Sequence, residues 1–328
     1  MIPFRTTLPV PNYDFQVNYQ DSIALLGSCF AENIGDKLKE ARLDTLVNPF
    51  GIIYNPISLA QHISRVLNGE KVTEDTFFFD GALWRSHLHH SRFASDDLQQ
   101  LETAVDQADA QLKQFIDSGN CLFLTFGSAY IYYHLEWDGI VANCHKLPAK
   151  FFQKRRLTVE EILDIYEPLL QQLHERQSDL QIIFSVSPVR HIRDGIINNQ
   201  RSKAVLLLAV DQLCEQFDFA HYFPAYEWLL DDLRDYRFYD QDLIHPSATA
   251  VDYTWNHFQT AFFSEQTQAI YQQIMQLHRA LAHRPFKPKS EAHQQFLKKQ
   301  LQKVEQVKEA FSFLDLSYFR DAFRERLS

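Results

Sequence analysis

Residues 23–42 read IALLGSCFAENIGDKLKEAR. Ile23–Leu26 is a short apolar run that stops on Gly27, and immediately beyond it Phe30, Ile34 and Leu38 recur at helical spacing. The segment therefore reads as strand, turn, helix. The pattern repeats outward from it. A second apolar run, Leu43–Val47, leads through NPFG (48–51) to a helix opening at Asn55-Pro56, a side-chain cap followed by proline in the first turn. CLFLTFG (121–127) and QIIFSVSPV (181–189) are two further buried strands. Between and after them lie helices over 97–117, from Thr158 with Glu161 completing a capping box, over 203–217, and from Ser247. Strands alternating with helices predict an α/β fold, a parallel sheet with helices on both faces.

Two hairpins interrupt the alternation, one turning at Asp80-Gly81 and one at Asp138-Gly139. HYFPAYEW (221–228) reads as a short aromatic segment and DLRDYRFYDQD (232–242) as a polar stretch. From 263 the chain becomes Gln-rich and helical, broken by RPFKPK (284–289), and residues 284–328 carry ten Lys/Arg against six Asp/Glu. This divides the chain into a body, 1–262, and a helical C-terminal extension, 263–328. The extension is either a solvated arm packed back on the body or a surface for a homo-oligomer or another partner.

The chain has 328 residues and a net charge of -10, which argues against nucleic acid or an anionic membrane as partner. No apolar stretch approaches the roughly 18–20 residues of a membrane-spanning helix, and MIPFRTTLPVPNYDF (1–15) lacks the basic and apolar regions of a leader, so a cytoplasmic location is expected. Cys29, Cys121, Cys144 and Cys214 form no CxxC pair, so neither a disulfide framework nor a Cys-based zinc site is expected. Neither GxGxxG nor GxxxxGK[ST] occurs, and no nucleotide or flavin cofactor is expected.

Only nine residues are glycine, and three of them, Gly27, Gly51 and Gly127, fall at or just past strand ends, where ligands bind in parallel α/β sheets. Ser28 and Cys29 occupy the first such turn. A nucleophile there gains free backbone N–H groups and the positive end of a helix dipole, which lower a thiol pKa and hold an oxyanion. The plainer alternative is a Ser28 cap beside a buried Cys29. Far downstream, Asp242 stands three residues before His245, a spacing that lets the carboxylate fix the imidazole tautomer.

Together these features resemble the SGNH (GDSL-like) hydrolase superfamily. Gly27-Ser28-Cys29-Phe30-Ala31 more closely resembles the GSCFA family, as do NPFGIIYNP (48–56), LTFGSAYIY (124–132), VANCHKLP (141–148), SVSPVRH (185–191) and YFPAYEWLLDDLRDYRFYDQDLIHPS (222–247). The resemblance implies a three-layer α/β/α, flavodoxin-like sheet and a Cys- or Ser-His-Asp site. Laid without a gap over Gly-Asp-Ser-Leu, the motif puts Cys29 at the nucleophile position and Ser28 at that of the aspartate. It also implies an oxyanion hole beside a glycine after the second strand, matched by Gly51, and in a Gly-x-Asn block. Here that block reads Gly127-Ser128-Ala129, so the amide is absent; Asn143 either replaces it or caps its own hairpin.

His145, beside Lys146, and Arg190 with His191 are candidate substrate-binding residues, with a plain surface-loop role as the alternative. His87, His89 and His90 lack a carboxylate-His metal spacing, so no metal is expected. The function expected is acyl-group hydrolysis or transfer on an ester or thioester, carried by a small molecule or carbohydrate. A non-catalytic binding module on the same scaffold, or a partner-docking protein using the C-terminal arm, are the alternatives.

Overall fold

The computed structural model describes residues 6–327; the first five residues of the stretch read for a leader, and Ser328, lie outside them. The strands are β1 (Ser22–Gly27), β2 (Asp44–Val47), β3 (Phe77–Phe79), β4 (Trp84–Ser86), β5 (Ala94–Ser95), β6 (Cys121–Phe126), β7 (Tyr130–His134), β8 (Gly139–Val141), β9 (Phe152–Arg156), β10 (Gln181–Val186) and β11 (Ala220–Tyr222). Five of them form the central sheet in the order β11-β10-β6-β1-β2, every neighbouring pair parallel. Numbered along the chain within this sheet alone, the order is 2-1-3-4-5. The direction of winding therefore reverses between β1 and β6, which opens a crevice at their carboxyl ends.

The body helices are α1 (Cys29–Glu40), α2 (Pro56–Leu67), α3 (Leu98–Ser118), α4 (Val159–Arg176) and α5 (Ile196–Gln216), followed by Ala248–Phe262. Strand side chains alternate between two layers, as the twofold period of a strand requires. Ala24, Leu26, Leu122, Leu124, Ile182 and Phe184 pack with α2, α3, α4 and α5. Ile23, Leu25, Phe123 and Ile183 pack with Phe30, Ile34 and Leu38 of α1 and with Phe258 and Phe262. The sheet is thus flanked by helices on both sides.

Local chemistry sets the helix starts. Ser28 caps α1, Asn55 Oδ1 accepts from Ser58 N at 2.8 Å with Pro56 in the first turn of α2, and Thr158 and Glu161 form the capping box of α4. Four elements depart from the sequence reading. The edge strand β11, three residues long, overlaps the start of the segment read as aromatic; each hairpin gains a third strand, β5 and β9; and α5 begins at Ile196 rather than 203. Its first turn hides because Ile196 and Ile197 are both exposed, which breaks the apolar period.

The C-terminal helices Glu265–Ala282, Glu291–Ala310 and Ser317–Leu327 pack back on the body. Ile274, Leu277, Leu297, Phe319 and Phe323 belong to the same apolar cluster as Ile34 and Leu38 of α1. Among the described residues no helix is long and apolar enough to cross a membrane.

Candidate active site

The loop after β2 stitches the ends of β1 and β6 together. Asn48 Oδ1 accepts from Gly27 N at 2.8 Å, Asn48 N donates to Leu25 O at 2.9 Å and Ile53 N to Gly27 O at 3.0 Å. On the other side, Gly127 N and Ser128 N both donate to Tyr54 O, at 2.7 and 3.1 Å. The sheet end beside α1 is therefore a fixed platform.

Ser28 and Cys29 stand on it in different settings. Ser28 is buried; its N–H donates to Thr125 O at 3.1 Å and its Oγ accepts from Phe30 N at 3.2 Å, so the hydroxyl is committed to capping. Cys29 opens α1 and is half-buried. Burial pushes its thiol above the ordinary value, and the carboxylate of Glu32 adds to this; its own N–H, the ammonium of Lys203 and the Phe30 N–H pull the other way. The expectation of a lowered thiol pKa is thus corrected: burial outweighs the helix terminus.

Two residues that the sequence reading did not single out belong to the crevice. Lys203, on α5, is 1% exposed, and its Nζ donates to Gly127 O and Ser187 O, each at 2.6 Å, beyond the ends of β6 and β10. Burial drives its pKa down to about 7. Lys203 lies on the buried stripe of α5 with Asn199, Ser202, Leu206, Ala209, Val210 and Leu213, so the periodicity carried back from Leu206 would have found it. Tyr54 is raised by burial, and the thiols of Cys29 and Cys144 both act on it.

His191 comes into the same cluster. A Cβ on Gly127 would lie 2.8 Å from Tyr54 Cβ and 3.2 Å from His191 Nε2, and the Tyr54 and His191 rings meet edge to face at 5.4 Å. Burial first, then Lys203, His245 and Lys154, lower His191 to about 4 against the pull of Asp194, so the ring is neutral. Its Nε2 is buried without a hydrogen-bond partner among the described residues.

The Asp242–His245 pair forms as its spacing predicts. Asp242 Oδ1 accepts from Ile244 N at 2.8 Å and His245 N at 3.0 Å, while Oδ2 meets His245 Nδ1 at 2.6 Å. These bonds hold the Asp242 carboxyl at about 2 and leave Nε2 as the free ring nitrogen. Both side chains are about half exposed. Among the described residues no hydrogen bond joins His245 to Cys29 or Ser28.

Other expected residues have different roles. Gly51 N–H donates to Asn48 O at 2.8 Å to close the turn, so it is spent and is not an oxyanion donor. Asn143 Oδ1 accepts from His145 N at 2.8 Å, an Asx turn that leaves the NH2 end as the donor. His145 is buried, with Nε2 on Ser86 O at 2.8 Å, and serves the hairpin packing rather than a ligand. Arg190 lies over the Tyr239 ring at 4.3 Å and reaches Leu243 O at 3.4 Å, while its N–H donates to Ile244 O at 3.2 Å. It therefore braces the loop that carries Asp242 and His245 rather than offering a free guanidinium. His87 and His89 are packed among Phe78, Trp137, Phe50 and Phe93, and among the described residues no three His, Cys, Asp or Glu side chains converge as a metal site. A cavity of about 590 Å³ between α2 and α4, lined by Ile57, His62, Arg65, Ile140, Leu169 and Gln172, includes none of these site residues.

Fold and site define an α/β protein with a half-buried thiol at the strand-end reversal and an Asp-oriented imidazole on a neighbouring loop. Residues 22–258 match the GSCFA family, and residues 274–328 match the C-terminal domain of GSCFA domain proteins. The chain belongs to the GSCFA family. No curated protein matches it.

Proposed function

We propose that this chain hydrolyses or transfers an acyl group held as an ester or thioester on a small-molecule or carbohydrate substrate, with Cys29 as nucleophile. The observation that carries this reading is the contrast between two neighbours: Ser28 is buried and bonded as a cap, whereas Cys29 is half-buried at the winding reversal. The strand order 2-1-3-4-5 is that of flavodoxin-like sheets and supports the SGNH-like reading of the fold.

In this mechanism His245 Nε2 takes the Cys29 proton as Sγ bonds to the acyl carbon. The imidazolium, stabilised by Asp242, returns the proton to the leaving alcohol or thiol as the tetrahedral intermediate collapses. The thioester then passes its acyl group to water or to a second acceptor. N–H groups at the start of α1 and the Asn143 amide hold the oxyanion, each such donor contributing about 3 kcal/mol to transition-state stabilisation. Contacts of this kind commonly tighten only with substrate in place, which accommodates the missing His245–Cys29 bond.

The test is turnover of p-nitrophenyl acetate and a panel of short thioesters by wild type, Cys29→Ala, Ser28→Ala and His245→Ala, with intact-mass analysis. A single acetyl adduct that disappears only in Cys29→Ala supports the reading. Loss only in Ser28→Ala transfers the role to the hydroxyl, and neither turnover nor adduct in any form favours the non-catalytic binding module.

A further inference from the structure

Lys203 presents an electrostatic problem. Its ammonium is buried, its two hydrogen-bond partners are the neutral carbonyls of Gly127 and Ser187, and among the described residues no carboxylate pairs with it. An unpaired buried cation is costly, and two carbonyl dipoles offset only part of that cost. The other groups around it are the face of Tyr226 at 5.9 Å and the imidazole of His191, which is neutral. The Cys29 thiol lies at the same sheet end: Gly27 pairs with Thr125 in the parallel β1–β6 register, so Cys29 and Gly127, whose carbonyl holds Nζ, each follow two residues beyond paired positions, and among the described residues the thiol favours the Lys203 ammonium. The same pair appears from the other side: among the described residues Lys203 is the cationic side chain that favours the Cys29 thiolate, against burial and Glu32.

We propose that Lys203 is the counter-ion of Cys29, held by the ends of β6 and β10 so that the thiolate forms as an ion pair inside the crevice. The proton balance is simple. When Lys203 is neutral it accepts the Sγ proton at Nζ, giving ammonium and thiolate; when it is already charged, the thiol loses its proton to solvent or to His245 and the resulting thiolate is paired at once. Because the two groups titrate together, their apparent pKa values belong to the pair. Lys203 thus acts directly on the nucleophile, as proton acceptor or as counter-ion, and sets its ionisation. The proposal deepens the acyl-transfer reading and rests on Cys29 as its nucleophile.

The experiment reads the thiol without any turnover. Iodoacetamide alkylation of Cys29, located by peptide mass mapping, is followed from pH 6 to pH 10 in the full-length wild type and in Lys203→Met and Lys203→Arg. Removing the cation is expected to slow alkylation at pH 7 about tenfold and to move the midpoint up by about one unit, with Lys203→Arg restoring much of the rate. A folded Lys203→Met protein with an unchanged profile overturns the proposal and leaves Lys203 as a strand-end cap. Should Lys203→Met fail to fold, Cys29→Ser carries the test: the side-chain carbon resonance of Lys203 should titrate at a lower pH than in wild type, and an unmoved midpoint overturns the proposal. Acetyl transfer can persist or fail independently of either result, so the two readings are separable.

Discussion

A methyl group on Gly27 would lie 2.1 Å from the carbonyl oxygen of Thr125, on a backbone already at φ +134. Both facts forbid a side chain where β1 hands over to the Ser28 cap. We expect Gly27→Ala to destabilise the fold by at least about 2–3 kcal/mol, because strain and backbone displacement add. Gly81→Ala, at φ +100 with nothing within 4 Å of its Cβ, meets only the backbone penalty and should cost about 1 kcal/mol. Urea unfolding of both variants checks this, and equal losses would remove the steric account. At this scale the Ser28 cap, the Asn55 cap, and the Asp242–His245 spacing were legible because each is a local hydrogen-bond pattern. Helical periodicity marks the place of Lys203 on the buried stripe of α5, but its role and that of Tyr54 are not legible, since both arise from burial against strand ends distant in the chain. Gly51 shows the reverse case: its place after the second strand is legible, but its N–H is used within its own turn.

Among elements, β1, β6 and β10 are legible because each is an apolar run buried on both faces, whereas the short parallel edge strand β11 is not. The third strands of the two small sheets were not. β9, Phe152–Arg156, is largely polar and pairs with β7, so nothing in its own pattern marks it. A cluster of buried histidines lies between α2 and the loop after β4. His62 stacks on Phe50 at 3.9 Å and meets Leu88 O at 2.7 Å, and burial pulls it down to about 3; His87 and His89 are lowered for the same reason. A folded pKa below the unfolded value near 6.5 means that the unfolded chain binds more protons once pH falls below 6.5. Stability is therefore full above that pH and lost as it drops toward the folded pKa. For His62 alone the loss at pH 5 is about 2 kcal/mol. Urea midpoints of wild type and His62→Gln between pH 8 and pH 5 check this. If the wild-type acid limb is no steeper than that of the variant, burial of a neutral His62 is not its cause.

Across the whole molecule the sharpest change in sequence character, near residue 263, does not coincide with a break in the core. Composition marks a basic, Gln-rich tail, and composition describes surfaces; contacts decide where a core ends. Phe319 and Phe323 are fully buried, and Ile274, Leu277 and Leu297 share one apolar cluster with Ile34, Leu38 and Phe258 of the body. Polar ties cross the same boundary: Thr267 Oγ1 donates to Val17 O at 2.8 Å, and His278 Nε2 meets Glu40 O at 2.9 Å. Removing 263–328 would expose the outer side of α1, the helix whose first residue is Cys29. Burial of each large apolar side chain lost is worth about 1.5–3 kcal/mol, and several are lost together, which is comparable with the whole stability of a domain. A chain ending at residue 262 is therefore expected to aggregate, or to melt well below the full-length protein, rather than to persist as a folded body that has merely lost association. Thermal unfolding and light scattering of the two lengths distinguish these outcomes. A truncated chain that stays monomeric and melts within a few degrees of the full-length protein would show that the tail is an attached arm and that the body alone fixes the start of α1.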